Sequence, residues 1–461
     1  MRRAVMGGSG RPHRSGQART IGPVLSALTV ALFLLQTSAA QATKIERVIS
    51  PGGIEAWLVH DATVPLVAMD FAFRGGTAQD PADKGGVANL VADLLDEGAG
   101  DLDSKAFHER LEDKAVQLGF SVGRDHFRGY VRTLVENRDE AFDLLRLSLT
   151  AAHFDPPEVE RMRAQVMARL TRESTSPSDI SGKRWWATAF PGHPYGRPVT
   201  GTLESVPRIE VADLKSYARH IFAKDNLKVA VVGDIDAASV GVLLDHVFGA
   251  LPAKAETAAV ESARPDGLGH RVVIDLDVPQ AAVTFGGPGI ARKDPDFMAA
   301  YVVNHILGGG SFSSRLYREV REKRGLAYSV YSSLVWLDHA AMLLGGTGTR
   351  AERAGESIEI IEQQIHRLAE QGPTEEELAT AKSYLKGSYA LGFDTSAKIA
   401  GQLVQIQVDE LGIDYIDRRS GMIDAITLDD VRRVAKRLLE PGLLVTVVGR
   451  PQAVQAKGQG G

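Results

Sequence analysis

The sequence repeats itself, and this repetition constrains the fold more than any other feature. VPLVAMDFAF begins at Val64, and VPQAAVTFGG begins 214 residues later at Val278. The segment PPEVERMRAQVMARL has a counterpart in PTEEELATAKSYLKGSY, at an offset of 217. A helix, a short gap and a strand then close each half at Asp234 and at Arg450, which are 216 residues apart. Three landmarks in one order at nearly one offset predict a duplicated domain of roughly 200 residues.

Within each copy, the pattern predicts strands, then several helices, then a last strand. The predicted strands are LVAMDFAF, HFRGYVRTLV and LKVAVVGD in the first copy, and AAVTFGG, LAYSVYSSLVW and LLVTVVGR in the second. Because strands and helices do not alternate strictly, we predict an α+β fold in which each domain is a mainly antiparallel sheet flanked by helices. The domains are predicted at 43–253 and 271–450. Residues 254–270 are polar and low in bulky side chains, which indicates a linker, and 451–461 form a polar tail.

The N-terminal segment has the features of a cleavable secretory signal. Residues 1–42 contain five arginines and neither an acidic residue nor a lysine, and an apolar run follows from Ile21 to Leu35. Ala40-Gln41-Ala42 supplies a small-residue cleavage site. A membrane anchor is the alternative, but the apolar run is shorter than the roughly 20 residues that span a bilayer. We therefore expect residues 1–42 to be removed and the protein to be periplasmic or secreted.

Charge and cysteine content exclude several classes of function. Cleavage would remove five of the 53 basic residues and none of the 58 acidic ones, which leaves a net charge of −10. This balance argues against nucleic acid and anionic membranes as main partners. The chain has no cysteine, so disulfides, thiolate metal sites and cysteine nucleophiles are excluded.

The stretch GGVANLVADLLDEG, residues 85–98, is predicted to be an amphipathic helix. Its apolar residues fall at helical spacing; they are Val87, Leu90, Val91, Leu94 and Leu95. Asn89, Ala92 and Asp93 share another face at i, i+3 and i+4. Such a trio suits a metal site in geometry, but it consists here of an amide, a methyl group and a single carboxylate.

Three segments together resemble the insulinase and pitrilysin family of zinc peptidases, which includes the mitochondrial processing peptidase. They are FRGGTAQDPADKGGVANLVADLLDEGAG, PGHPYGRPVTGT and LGGGSFSSRLYREVREKRGLAYSVYSS. The resemblance runs from about Ile45 to Arg450 and implies two homologous domains that form half of a clamshell.

The family's inverted H-x-x-E-H motif binds zinc through two histidines and activates water through a glutamate. In this sequence the motif falls on Asn89, Ala92 and Asp93. A further glutamate ligand should lie near residues 167–169, where VMARL offers no carboxylate. No two of the 12 histidines stand within five residues of each other. We therefore expect this chain to bind no metal or other cofactor.

The second copy keeps a different functional feature of the family. The resemblance implies that an arginine and a tyrosine seven residues apart face the zinc site across a chamber, and Arg321 and Tyr328 match that pair. A guanidinium and a phenol can hold a peptide carbonyl and the oxyanion formed when water attacks it. Tyr331 is a near alternative to Tyr328.

The resemblance thus implies a non-catalytic subunit of a periplasmic zinc metallopeptidase. A homologous H-x-x-E-H partner would carry the zinc, and this chain would complete its peptide-binding chamber in a heterodimer. Two alternatives stay open. One is a structural scaffold, and the other is a periplasmic peptide-binding protein without a proteolytic role.

Overall fold

A computed structural model of the protein describes residues 44–450. The predicted signal segment, 1–42, and the predicted tail, 451–461, lie outside the described residues. Among the residues that are described, no helix combines the length and the apolar character needed to cross a membrane.

Within residues 44–253, the first half contains six strands and seven α-helices. The strands are β1 (Glu46–Ile49), β2 (Glu55–His60), β3 (Leu66–Arg74), β4 (Gln117–Val122), β5 (His126–Leu134) and β6 (Leu227–Gly233). The helices are α1 (Val87–Ala92), α2 (Ser104–Asp113), α3 (Arg138–Thr150), α4 (Pro156–Glu173), α5 (Pro177–Ala189), α6 (Val211–Ile221) and α7 (Ala237–Phe248).

The part of the second half that the structure describes, up to residue 450, contains five strands and six α-helices. The strands are β7 (Arg271–Ile274), β8 (Gln280–Pro288), β9 (Ala327–Trp336), β10 (Ala341–Arg350) and β11 (Leu444–Val448). The helices are α8 (Phe297–Asn304), α9 (Ala354–Gln371), α10 (Glu375–Ala390), α11 (Ser396–Val408), α12 (Tyr415–Asp424) and α13 (Leu428–Leu439).

The two sheets share one topology, which confirms the predicted fold class. Their strand orders are β1-β2-β6-β3-β5-β4 and β7-β11-β8-β10-β9, so the second sheet matches the first without its outer strand β1. In each sheet the last strand runs parallel to one neighbour, and the other pairings are antiparallel. The likeness extends to the backbone, because Gly233 at the end of β6 and Gly449 directly after β11 have φ angles of 141° and 143°. A side chain at Gly233 would meet the carbonyl oxygen of Leu66, so only glycine fits there.

Each half contributes one helix to the sheet of the other half. Helix α11 covers the outer face of the first sheet, where Leu403 and Val404 pack among Trp57, Val59 and other buried side chains. Helix α5 covers the second sheet in the same way. Its Trp185 is fully buried and donates a hydrogen bond from Nε1 to the carbonyl oxygen of Leu444, at 3.1 Å.

A glycine in the second sheet leaves space for the ring of Trp185. A Cβ atom at Gly286 would lie only 2.6 Å from the Trp185 ring. Ser181, one turn earlier on α5, donates to Thr284 Oγ1 at 2.9 Å. The exchange therefore uses specific contacts as well as apolar burial, and it joins both halves into one compact unit.

Residues 254–270 contain neither helix nor strand and are bonded to both halves. Gln79 exchanges two hydrogen bonds with the backbone of Ala258, at 2.7 and 3.1 Å. Further along, the Ala263 amide donates to the carbonyl oxygen of His339 at 2.8 Å. The segment is thus held along its length against the body of the protein.

Because each sheet is covered by a helix from the other half, we expect the two halves to unfold together. Leu403→Ala should lower the free energy of unfolding by about 2–5 kcal/mol, since it removes a fully buried side chain between the halves. Urea unfolding followed by tryptophan fluorescence and far-UV circular dichroism measures this, and both signals should shift as one transition.

The matched control is Leu391→Ala, because Leu391 is 70% exposed just before α11. That change should alter the free energy of unfolding by less than about 0.5 kcal/mol. Two separate transitions in the unmodified protein would contradict the shared unfolding.

Candidate functional site

The helix that would carry the family's metal motif is shorter than predicted. The helix ends at Ala92, and residues 93–96 form turns, whereas the sequence predicts a helix that continues to Gly98. The apolar side chains predicted to face the core are all buried; they are Val87, Leu90, Val91, Leu94 and Leu95. The helix therefore keeps its packing role although its polar face has changed.

Asn89 and Asp93 meet on that polar face. Asn89 Nδ2 donates to Asp93 Oδ2 at 2.8 Å, which occupies part of the carboxylate's acceptor capacity. Ala92, at the position of the family's glutamate, is 7% exposed and offers no titratable group. Burial raises the pKa of Asp93, against the opposing effects of the Arg169 charge and the Asn89 hydrogen bond.

Arg169 on α4 adds a fixed positive charge to this site. Its segment is where the further glutamate ligand was expected, and α4 packs against α1. The Nε and Nη2 atoms of Arg169 are buried without a hydrogen-bond partner among residues 44–450. A divalent cation approaching Asp93 would meet this like charge.

The residues present therefore do not fit a zinc ion. Zinc sites use histidine, cysteine or carboxylate ligands, usually four. The site supplies one carboxylate, already bonded to an amide, next to a cation. Across the part of the chain that the structure describes, no group of three potential ligands is arranged for a metal.

Arg321 and Tyr328 come together through a sharp change of chain direction. Arg321 lies in a π-helical segment, Tyr317–Glu322, which is a rare geometry that is frequent at functional sites. Gly325 follows with a φ of 58°, a left-handed conformation that suits glycine. The chain then enters β9 and brings Tyr328 back beside Arg321.

A β-bulge directs the side chain of Tyr328 outward. Strand β9 lies at the edge of the second sheet, and its pairing with β10 passes from Ser329–Gly348 to Ala327–Thr349, so Tyr328 has no partner. Bulges of this kind re-aim side chains and are common next to active sites. Tyr328 is consequently 83% exposed, against 54% for Tyr331.

The guanidinium of Arg321 contacts two aromatic rings. Its Cζ atom lies 4.7 Å from the ring centroid of Tyr328 and 4.8 Å from that of Tyr317. Tyr317 packs edge-to-face on Phe312, with ring centroids 5.0 Å apart. Cation–π contacts of this type orient a guanidinium and leave its N–H groups free to donate.

Neighbouring cations are neutralised, whereas Arg321 is not. Arg315 and Arg318 pair with Glu377 at 2.6 and 3.4 Å. Lys323 and Arg324 pair with Glu319 at 2.6 and 2.8 Å. Within residues 44–450, Arg321 has neither an ion pair nor a side-chain hydrogen bond, so its donors are available to a ligand.

Tyr317 is not among the site residues predicted from the sequence. Its position four residues before Arg321 is the one sequence feature that could have indicated a contact between the two side chains. The π-helical geometry and the bulge at Tyr328 result from tertiary packing and have no local sequence pattern that predicts them.

Comparison with known families matches both halves. The model described as "Insulinase (Peptidase family M16)" matches residues 56–203. The model described as "Peptidase M16 inactive domain" matches residues 208–385.

Curated relatives cover most of the chain at low identity. A protein from Helicobacter pylori described as a non-peptidase homolog is 28% identical over 80% of this chain and 85% of its own length. A protein from Mycobacterium leprae described as an uncharacterized zinc protease is 26% identical over 90% of this chain and 94% of its own. The mitochondrial-processing peptidase subunit beta of Blastocladiella emersonii is 22% identical over 90% of both chains.

Two solved structures also match this chain along most of its length. The crystal structure of a peptidase M16 inactive domain from Pseudomonas fluorescens superposes with a TM-score of 0.84 and 26% identity, over 89% of this chain and 99% of that one. A protease from Helicobacter pylori shares the fold, with a TM-score of 0.80 and 20% identity, over 88% of this chain and 99% of that one. Together with the altered motif at Asn89, Ala92 and Asp93, these matches establish that the chain belongs to the insulinase family as a non-catalytic member.

Proposed function

We propose that this protein is the non-catalytic subunit of a periplasmic insulinase-family metallopeptidase. It would pair with a homologous H-x-x-E-H subunit that carries the zinc, and it would supply Arg321 and Tyr328 to the shared peptide chamber. The proposal rests on the surroundings of the Arg321 side chain. Its guanidinium contacts two tyrosine rings and, among the described residues, has no acceptor.

The geometry suits a peptide undergoing hydrolysis. When water attacks a peptide carbonyl, negative charge develops on the carbonyl oxygen, and preorganised donors stabilise it. Arg321 donates through a planar cation and Tyr328 through a phenolic hydroxyl. The aromatic contacts fix the guanidinium before substrate arrives, so less ordering is needed in the transition state.

A scaffold role is the main alternative, and the charge pattern argues against it. A structural arginine in a helix end that contains Glu319 and Glu322 would be expected to pair, as Lys323 and Arg324 do. An exposed tyrosine re-aimed by a bulge is likewise of no use to a scaffold. A stand-alone peptide-binding role would use the same donors, so activity with a partner separates it from the proposal.

The purified protein should contain no stoichiometric zinc, because Asn89, Ala92 and Asp93 offer too few ligands and Arg169 repels a cation. Inductively coupled plasma mass spectrometry measures this directly, and a chelator should leave the melting temperature unchanged. About one zinc per chain, lost on Asp93→Ala, would contradict the prediction.

Tyr328→Phe should lower the kcat of the mixed subunits about 100- to 1,000-fold, because it removes one preorganised donor and keeps the ring. Arg321→Ala should lower kcat and also raise KM, since its charge binds the carbonyl before reaction. Hydrolysis of a peptide substrate by this chain mixed with its H-x-x-E-H homologue provides the measurement. Size-exclusion chromatography shows whether the variants still associate.

Tyr331→Phe is the matched control, because Tyr331 is a half-exposed tyrosine on the same strand. It should leave kcat within about threefold of the unmodified complex, a change below roughly 1 kcal/mol. Full activity with both Arg321 and Tyr328 replaced would leave this chain as a scaffold.

A further inference from the structure

A large cavity lies between the two halves, away from the Arg321–Tyr328 site. Its volume is about 870 Å³, and residues of β5, the end of β9, α11 and the segment 257–260 line it. Neither Arg321 nor Tyr328 belongs to its lining. Cavities of roughly 300–1,000 Å³ at domain interfaces are typical ligand sites.

The carboxylates around this cavity are already satisfied. Asp338 pairs with Arg74 at 3.1 Å, and Glu410 pairs with Lys293. Asp409 accepts hydrogen bonds from the side chains of Trp336 and Gln405 at 3.1 and 2.8 Å.

Asp125 is satisfied in the same way. It accepts from the Tyr195 hydroxyl at 2.5 Å and from the Asp338 amide at 3.0 Å. The acidic groups of the cavity therefore hold the wall together and need no ligand.

Two arginines of the first half lack such a carboxylate. Arg124 stacks on the Trp186 ring, 3.6 Å from its centroid, and donates from Nε to the carbonyl oxygen of Tyr195 at 3.1 Å. Arg128 donates from Nη2 to the neutral side chain of Gln405 at 2.6 Å. Within the described range, no carboxylate oxygen lies within 4 Å of either guanidinium.

Burial disfavours the charged form of both guanidinium groups. Burial lowers the pKa of Arg124 to about 10, and it lowers the pKa of Arg128 as well. His126, between them on the chain, is neutral at pH 7 because burial and the nearby Arg128 lower its pKa to about 4. Asp125 attracts Arg124 from beyond salt-bridge distance, and Asp409 and Asp70 do the same for Arg128. An anion entering the cavity would therefore meet two positive charges that no adjacent carboxylate neutralises.

We propose that this cavity binds a carboxylate-bearing ligand of the size of a short peptide, with Arg124 and Arg128 as the anion-binding residues. Guanidinium groups match a carboxylate in geometry as well as in charge. Small and medium apolar side chains complete the wall; they include Ala78, Val260, Leu337 and Val408. They suit aliphatic parts of the same ligand. This site is independent of the role proposed for Arg321 and Tyr328.

Isothermal calorimetry on the full chain alone tests this site without any partner subunit. The probe is N-acetyl-tetraalanine with a free C-terminal carboxylate, and its C-terminal amide is the matched uncharged probe. The acid should bind at least about 10-fold more tightly than the amide, as expected when a hydrogen bond to a charged group is lost. Inorganic phosphate is the third probe, because guanidinium also binds phosphate.

Arg124→Gln and Arg128→Gln should each weaken binding of the acid about 10-fold or more. Arg110→Gln is the control, because it removes the same charge from an exposed position on α2. Circular dichroism melting checks that each variant is folded. The proposal is overturned if the acid does not bind at about 10 mM, if acid and amide bind equally, or if phosphate binds more tightly than the acid.

Discussion

Each half of the molecule is completed by a helix that the other half contributes. A sheet with one covered face would expose the apolar residues of the other, and within residues 44–450 the helix on that other face comes from the opposite half in each case. Helix α11 covers the first sheet and α5 covers the second, with Leu403 and Trp185 fully buried at the two contacts. This arrangement fixes the position of β5 relative to α11, and so creates the cavity between the halves.

The packing of α1 explains how the metal motif can be altered while the fold is kept. The side of α1 that faces the core is apolar, and its burial does not depend on Asn89 or Asp93. Because core packing does not involve the polar face of α1, the residues on that face can change. Here they form an amide–carboxylate pair near the Arg169 cation. In the second half, by contrast, Arg321 keeps its contacts to the rings of Tyr317 and Tyr328.

Much of the fold could be predicted from the sequence, for identifiable reasons. Strands such as β3 and β6 are nearly continuous apolar runs. The repeat also gave elements of one half a counterpart in the other half, which supported their prediction. The predicted strands did not include β1, β2, β4, β7 or β10, because these segments are short or glycine-rich and have weak periodicity. It also extended the helix at Val87 too far, since the apolar spacing continues through Leu94 and Leu95 while the backbone forms turns.

The duplication, the α+β class, the altered metal motif and the Arg321–Tyr328 spacing all follow from the sequence alone. These properties depend on residue type and order along the chain. Tertiary packing is needed to place Tyr328 at a bulge, to bring Arg321 against two tyrosine rings, and to line one cavity with Arg124 and Arg128. Those features depend on which distant segments meet, and in this protein that is set by helices packing across the boundary between the halves.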